Sequence, residues 1–336
     1  MYLTDQKVAV MGAAGAIGSN LTQDLLSSGV ASRIAMYDPF AAGLEGAAEE
    51  IYHCAYPGAN VTWTTDVEEA LHGATYVISS GGMPRKEGMT REDLTRGNCE
   101  IARGLGQDIR RCVPEVQFVI LIFNPADVTG LTALVHSGLD PRRVTTLAAL
   151  DSTRLQTRLA QFFEVPQDTV TGCKTYGGHG EKMAVFKAEI AIQGVRLVDI
   201  LGGGRANGKG MSDAQWTEIQ EHVRNGGARI IKLRGRSSFQ SPAHQSVEML
   251  RARIQQGGYP WPCGAYIRSG EFAGVMMAAD VDYTSEGIVP RVPSGDAKDM
   301  AALRDSYAHL LKLREQVIAD GLLPPVNEWN PVNPNL

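Results

Sequence analysis

KVAVMGAAGAIGSN, residues 7–20, is the stretch whose reading decides the fold. KVAVM is an apolar run too short for a helix. It ends in glycines at Gly12, Gly15 and Gly18, after which Ile17, Leu21 and Leu25 recur at helical spacing. A strand, a glycine turn and a helix in that order build a site for phosphate. Main-chain N–H groups at the helix start point at the anion, and missing side chains let the backbone come close. Gly12, Ala14, Gly15, Ala16, Ile17 and Gly18 are therefore the candidate cradle. The spacing is GxxGxxG rather than GxGxxG, so alone it also fits a tight turn with no ligand.

The next element narrows the reading. RIAMY, residues 33–37, is a second strand that ends at Asp38, twenty residues beyond Gly18. An acidic side chain there accepts hydrogen bonds from adenosine ribose hydroxyls and repels a 2′-phosphate, which favours NAD over NADP. Further strands are expected over 61–65, 75–80, 116–123 and 144–147, and helices over 41–54, 67–71, 92–112 and 128–136. This alternation predicts an α/β fold with a Rossmann-like doubly wound parallel sheet, with ligands at the carboxyl ends of its strands.

Beyond Pro166 the pattern changes. Antiparallel strands are expected over 169–175, 184–195 and 263–282, and helices over 151–163, 212–233, 242–255 and 297–319. The chain thus divides into a dinucleotide-binding domain, 1–150, and an α+β catalytic and substrate domain, 151–336. GGGRANGKG, residues 202–210, lacks the Ser/Thr and flanking strand of a Walker motif and is expected to be a flexible surface loop. The tail NEWNPVNPNL, residues 327–336, is expected on the surface.

At 336 residues, 43% apolar and 21% charged, the chain has the size and composition of a soluble protein of about two domains. A net charge of −5 and a pI near 5.8 argue against a general nucleic-acid binder. The basic run KLRGR, residues 232–236, reads as the solvated end of a helix. The five cysteines never form CxxC, so neither a disulfide framework nor a zinc site is expected. The opening runs straight into a strand-like segment without a signal peptide or membrane span, which makes the cytoplasm the expected compartment and the NLT and NVT sequons chance matches.

Chemistry concentrates in four loops. Gly81 follows one expected strand and opens a Gly- and Pro-rich segment carrying Arg85, Lys86 and Arg91, suited to closing on an anion. FNPAD, with Asn124, follows another strand; LDSTR supplies Asp151 and Arg154; TYGGHGEK presents His179 between glycines. A neutral imidazole accepts the hydroxyl proton when hydride leaves a secondary alcohol, and a carboxylate on its other nitrogen fixes the tautomer. Arginine grips a carboxylate through two parallel hydrogen bonds, which sets the angle of the reacting carbon.

Together GAAGAIG, YDP, GMPRKEGMTREDL through Asn98, FNPAD, LDSTR and GGHGEK resemble, in order and spacing, the lactate/malate dehydrogenase family, and RKEGMTR is similar to its bacterial malate-specific form. The resemblance covers nearly the whole chain, with the motifs inside residues 7–186. It implies reversible NAD-dependent oxidation of (S)-malate to oxaloacetate by a homodimer or homotetramer. It implies His179 as proton acceptor, Asp151 as its orienting carboxylate and Arg154 on the carboxylate beside the reacting carbon. Arg85 would hold the second carboxylate and the mobile Arg91 would polarise the carbonyl. Asn124 would lie near the substrate oxygen, with Gly81, Asn98 and Ile122 as cofactor contacts. Many relatives carry a second Asn or a hydrophobic residue where this chain has Asp127. The expectation is altered hydrogen bonding on the cofactor side, with the catalytic set untouched. GRSSFQSPA, residues 235–243, differs from better-known forms, and its substrate contacts stay open. Three other readings compete. An NAD-dependent glycosidase needs Cys and His metal ligands near His179, a catalytically silent NAD-binding protein leaves the His, Asp and arginines unexplained, and a lactate dehydrogenase is the runner-up within the class.

Overall fold

The computed structural model describes residues 1–83, 90–180 and 182–336, with Arg91 described in its main chain alone. Among these residues the first part runs β1 (Val8–Met11), α1 (Ala16–Ser27), β2 (Arg33–Tyr37), α2 (Ala41–His53), β3 (Asn60–Thr64), α3 (Val67–Leu71), β4 (Tyr76–Ser79), α4 (Arg91–Cys112), β5 (Phe118–Leu121), α5 (Ala126–Ser137) and β6 (Val144–Thr146). These six strands are parallel in the order β6-β5-β4-β1-β2-β3. Val8 of β1 pairs with Ile34 on one side and Tyr76 on the other, so the chain reverses direction across the sheet between β1 and β4. A crevice opens at such a point, at the carboxyl ends of the two strands. Their runs VAVM and YVIS are buried at every position, as strands covered on both faces must be.

The second part runs α6 (Ala149–Phe163), β7 (Val170–Thr171), β8 (Lys174–Tyr176), β9 (Ala184–Phe186), β10 (Ala191–Ile192), β11 (Val195–Arg196), α7 (Leu197–Leu201), α8 (Asp213–Arg224), α9 (Gly226–Arg234), α10 (Gln240–Gln255), β12 (Cys263–Ile267), β13 (Val275–Thr284), β14 (Gly287–Arg291), α11 (Ala297–Ala319) and α12 (Trp329–Val332). Its strands are antiparallel, but three of them do not form a sheet of their own. β12 pairs with β6 through Gly264 and Thr146, and β13 and β14 follow, giving one nine-stranded mixed sheet. Thr146 demands a glycine opposite, since a Cβ on Gly264 would stand 1.8 Å from its Oγ1. Two small sheets, β11-β10-β7 and β8-β9, complete the architecture.

Several expected elements divide where local chemistry requires. The strand expected over 169–175 breaks at Gly172, whose φ of +68° suits a residue without Cβ. The helix expected over 212–233 divides at Asn225 into α8 and α9, and a Cβ on Gly226, the first residue of α9, would lie 2.7 Å from Arg154 Cδ. β14 was not anticipated: it holds Pro290, at the sheet edge where a missing N–H costs least. The 202–210 segment is a turn closed by paired Ala206 and Lys209, with Asn207 donating to the Phe163 carbonyl at the end of α6. α5 is buried at every position but His136, between α4, the sheet and α11, and this fixes where its first turn points. No helix among the described residues is long and apolar enough to cross a membrane, and no group of three or more His, Cys, Asp or Glu among them could hold a metal.

Most of the tail lies on the surface as expected, but two buried residues anchor it. Trp329 is 3% exposed and Asn333 fully buried. The indole donates to the Pro324 carbonyl at 2.8 Å and faces the Arg314 guanidinium at 5.8 Å, while Asn333 donates to Leu134 and Leu139 carbonyls at the end of α5. No periodicity marks so short a segment; its apolar partners come from α4, α5 and α11. Trp329→Ala should cost about 3–5 kcal/mol in urea unfolding. A loss below about 1 kcal/mol, the usual range for surface substitutions, would remove Trp329 as an anchor of the tail.

Candidate active site

At the switch point the glycine turn takes its shape from close backbone approach. Gly12 has φ +83°, and a Cβ on it would lie 2.5 Å from Gly81 Cα at the end of β4. A Cβ on Gly18 would lie 2.2 Å from the Gly12 carbonyl oxygen. Both positions exclude any other residue. α1 begins at Gly15 in extended conformation without a side-chain cap, so its first amides keep their capacity for an anion. Asp38 stands beside the turn, one oxygen accepting from Ala14 N at 3.2 Å and the other from Phe40 N at 3.0 Å. A bare, donor-rich turn with a carboxylate beside it fits the pyrophosphate and ribose of a dinucleotide. Ile122 continues from β5 with its N–H on the Ser79 carbonyl. Asn98 of α4 ties two loops together, accepting from Met83 N at 2.7 Å and donating to the Asn124 carbonyl at 2.6 Å. Asn124 itself is exposed at the mouth of the β5–α5 connection.

His179 stands on the turn after β8. Its Nδ1 lies 2.7 Å from Asp151 Oδ2; a carboxylate only accepts, so Nδ1 carries the proton and Nε2 is left for exchange. The Asp151 side chain is 3% exposed and the imidazole 29%, so the orienting group is sealed while the ring reaches the opening. Asp151 also accepts from Gly180 N at 3.1 Å, and its other oxygen takes Arg154 Nη1 at 2.9 Å. Burial pushes the Asp151 carboxyl up, but the His179 charge, their hydrogen bond and Arg154 outweigh it and hold it below the usual range. In turn the Asp151 charge raises the proton affinity of His179 above its usual value, against the opposing effect of burial. α6 is held to β8 by Ser152, whose hydroxyl meets Thr175 Oγ1 at 3.0 Å and accepts from Thr175 N.

The main chain around His179 is bound amide by amide. Gly177 N donates to the Ala278 carbonyl of β13 at 3.0 Å, and Gly178 N to Ser306 Oγ of α11 at 2.8 Å. His179 N donates to Asp127 Oδ2 of α5 at 3.0 Å, and Gly180 N to Asp151 of α6. Asp127 therefore overturns the expectation that it leaves the catalytic set untouched. It lies in the first turn of α5, 6% exposed, and accepts from the main-chain N–H of His179, a member of that expected set. Ser306 and Ala278 carried no signal in the sequence, because one is a serine inside a long helix and the other an alanine inside a strand. Gly226, which makes room for Arg154, was visible only as a glycine pair inside an expected helix.

His179, Asp151, Arg154 and Asp127 thus form one cluster, and Gly12, Gly15, Gly18, Asp38 and Gly81 another. Arg85 lies outside the described residues, and the Arg91 side chain likewise; the Arg91 main chain opens α4 behind a capping box of Thr90 and Asp93.

A doubly wound sheet with a dinucleotide cradle and a histidine paired with a buried aspartate is the arrangement of a nicotinamide-dependent dehydrogenase. Residues 6–146 match the family model for the NAD binding domain of lactate/malate dehydrogenase, and residues 148–290 that for its alpha/beta C-terminal domain. The chain belongs to the lactate/malate dehydrogenase family, and it is an NAD-dependent oxidoreductase acting on a 2-hydroxy acid. It is 31% identical over 286 residues to a malate dehydrogenase of Pelagibacter ubique (strain HTCC1062), covering 82% of this chain and 87% of the relative. Its fold is similar to that of malate dehydrogenase from Plasmodium falciparum (TM-score 0.85, 23% identity, 94% of this chain and 99% of that one). It is also similar to lactate dehydrogenase from Cryptosporidium parvum complexed with lactic acid and nicotinamide adenine dinucleotide (TM-score 0.84, 24% identity, 96% and 99%).

The position of Asp38 makes cofactor choice testable. Placing a 2′-phosphate against this carboxylate juxtaposes like charges, a cost of several kcal/mol, and each ~1.4 kcal/mol is a factor of ten. Steady-state kinetics should show NADH far preferred over NADPH, with Asp38→Ser narrowing the kcat/KM ratio by at least about tenfold. A ratio unmoved by the substitution would remove Asp38 from cofactor selection.

Proposed function

We propose that this enzyme is a malate dehydrogenase, interconverting (S)-malate and oxaloacetate with His179 as acid and base. The observation that carries the reading is the 2.7 Å bond from His179 Nδ1 to the buried Asp151 carboxylate, beside Arg154. Residues 1–150 would form the NAD-binding domain, with Gly12, Ala14, Gly15, Ala16, Ile17, Gly18, Asp38, Gly81, Asn98, Ile122 and Asn124 around the cofactor. Residues 151–336 would form the catalytic and substrate-binding domain. When bound, NAD supplies the hydride acceptor, and the protein supplies geometry and electrostatics.

In the oxidation direction, His179 Nε2 takes the proton from the malate C2 hydroxyl as the C2 hydride departs. Asp151 stabilises the resulting imidazolium and keeps the ring from turning. Arg154 holds the C1 carboxylate. Arg85 would pair with the C4 carboxylate and Arg91 would polarise the carbonyl, with Asn124 near the same oxygen. Those arginine roles rest on the likeness of the RKEGMTR segment to the family's substrate loop.

His179→Asn should keep NADH affinity and lower kcat by roughly 10²- to 10⁴-fold, measured by stopped-flow and fluorescence titration. Near-normal kcat would require another acid/base. The pH dependence has a definite sign. Malate oxidation needs neutral His179, so kcat/KM falls as pH drops through the histidine's pKa, and oxaloacetate reduction falls as pH rises through it. Because Asp151 raises that pKa, Asp151→Asn should shift both limbs to lower pH as well as slow turnover. Limbs that stay in place would separate Asp151 from the proton on His179.

Substrate choice tests Arg85. Oxaloacetate ends in a second carboxylate where pyruvate ends in a methyl group, which leaves an enclosed cation unpaired at a cost of about 3–5 kcal/mol. Oxaloacetate should therefore exceed pyruvate in kcat/KM by roughly a hundredfold or more, and Arg85→Gln should reverse much of that preference. Arg91→Gln should depress both substrates together. If Arg91→Gln collapsed the ratio and Arg85→Gln left it unchanged, the two roles would be exchanged.

A further inference from the structure

At the amino ends of the parallel strands, opposite the cofactor crevice, α10 sends a cation into the core. Arg253 is 5% exposed; its Nη2 donates to the Ser285 carbonyl between β13 and β14 at 2.7 Å, and its guanidinium carbon stands 5.9 Å from the centre of the Phe118 ring. Its Nε is sealed from solvent and has no acceptor among the described residues. A guanidinium carries five donors, and neither a carbonyl nor an aromatic ring neutralises its charge. A buried charge is costly unless an opposite charge meets it.

What approaches instead is a second cation. Tyr76, Phe118 and Val144 begin β4, β5 and β6, and Tyr76 pairs in register with Phe118. Arg143 immediately precedes Val144, and its Nη1 donates to the Val116 carbonyl at 3.4 Å, two residues before Phe118. Both guanidinium groups thus converge on the stretch that leads into β5. Burial and, after it, the Arg143 charge weaken the hold of Arg253 on its proton, while the Tyr76 phenol acts against them. Among the described residues no carboxylate counters this pair, because the acids of the region, Asp140 and Glu286, are bound by Arg142.

We propose that Arg253, Arg143 and the Tyr76 hydroxyl hold one small monovalent anion of the size of chloride. The Arg253 Nε and the Tyr76 hydroxyl are its donors, and Arg143 supplies the second charge. Phe118 and Tyr283, with ring centroids 6.4 Å apart, wall the place with apolar surface, which favours a compact, weakly hydrated ion over phosphate. The bound anion joins α10, the amino ends of three strands and the β13–β14 turn through one charge. An ion held only by the folded chain stabilises it by mass action.

The experiment locates a halide and measures what it does to stability. Crystals grown with gluconate as the only anion and soaked in sodium bromide are expected to show an anomalous peak within hydrogen-bond reach of Arg253 Nε. In thermal unfolding, exchanging sodium gluconate for sodium chloride at constant ionic strength should raise the wild-type Tm by roughly 2 °C for each tenfold increase in chloride above its dissociation constant. Arg253→Met keeps the apolar stem, removes the charge and should lose that rise, with NADH affinity as the measure of folding. Water alone at Arg253 in the bromide crystals, or equal chloride dependence in the wild type and Arg253→Met, overturns the inference. So does a Tm that rises with inorganic phosphate and not with chloride. Should Arg253→Met fail to bind NADH, the partly exposed Arg143 takes its place in the test: Arg143→Gln should weaken the apparent chloride affinity by about tenfold, and an affinity unchanged there overturns the assignment.

Discussion

Four consecutive amides, from Gly177 to Gly180, are each held by a different element: β13, α11, α5 and α6. The His179–Asp151–Arg154 cluster depends on that constraint. A histidine between glycines has little local reason to hold one conformation, because glycine widens the accessible backbone and its ordering costs more entropy than that of other residues. Here the freedom is removed by partners distant in sequence. Two of the four acceptors are carboxylates, which bind an N–H about twice as strongly as a neutral acceptor does. The glycines admit this arrangement: a Cβ on Gly177 would lie 2.3 Å from Ser306 Oγ, so the approach of α11 excludes one.

Asp151 concentrates the electrostatics. One oxygen serves His179 and Gly180, and the other serves Arg154. A carboxylate with three donors stays ionised although it is buried, and so remains an acceptor for the His179 ring. Arg154 is thereby held in one orientation. Its pairing with Asp151 ties it to the same carboxylate that holds His179, so a loss at any one of the three reaches the others.

The mixed sheet joins the two clusters. Its parallel half sets Gly12 against Gly81 at the switch point and so builds the cofactor cradle. Its antiparallel half carries Ala278, which anchors the histidine turn, and the two halves meet through Thr146 and Gly264. α5 runs between sheet and helices, with the tail bound at one end through Asn333 and the histidine bound at the other through Asp127. A hydride has to travel from substrate to cofactor over a short, fixed distance, and a single sheet spanning both clusters supplies that rigidity.

The glycine turn, Asp38 and the alternation of strands and helices determined the dinucleotide fold from sequence alone, because each depends on neighbours within about thirty residues. The motifs also named His179, Asp151 and Arg154, since their residue types already restrict the chemistry. Only the tertiary structure decided which groups touch. Asp127 stands 52 residues from His179 and Ser306 128 residues from Gly178, and nothing local marks either as a partner. The close approach of Arg154 to Gly226 and the burial of Trp329 against a surface assembled by α4, α5 and α11 likewise belong to the folded chain. Local propensity is written in adjacent residues, whereas close approach and the satisfaction of a buried amide are properties of elements that meet only after folding.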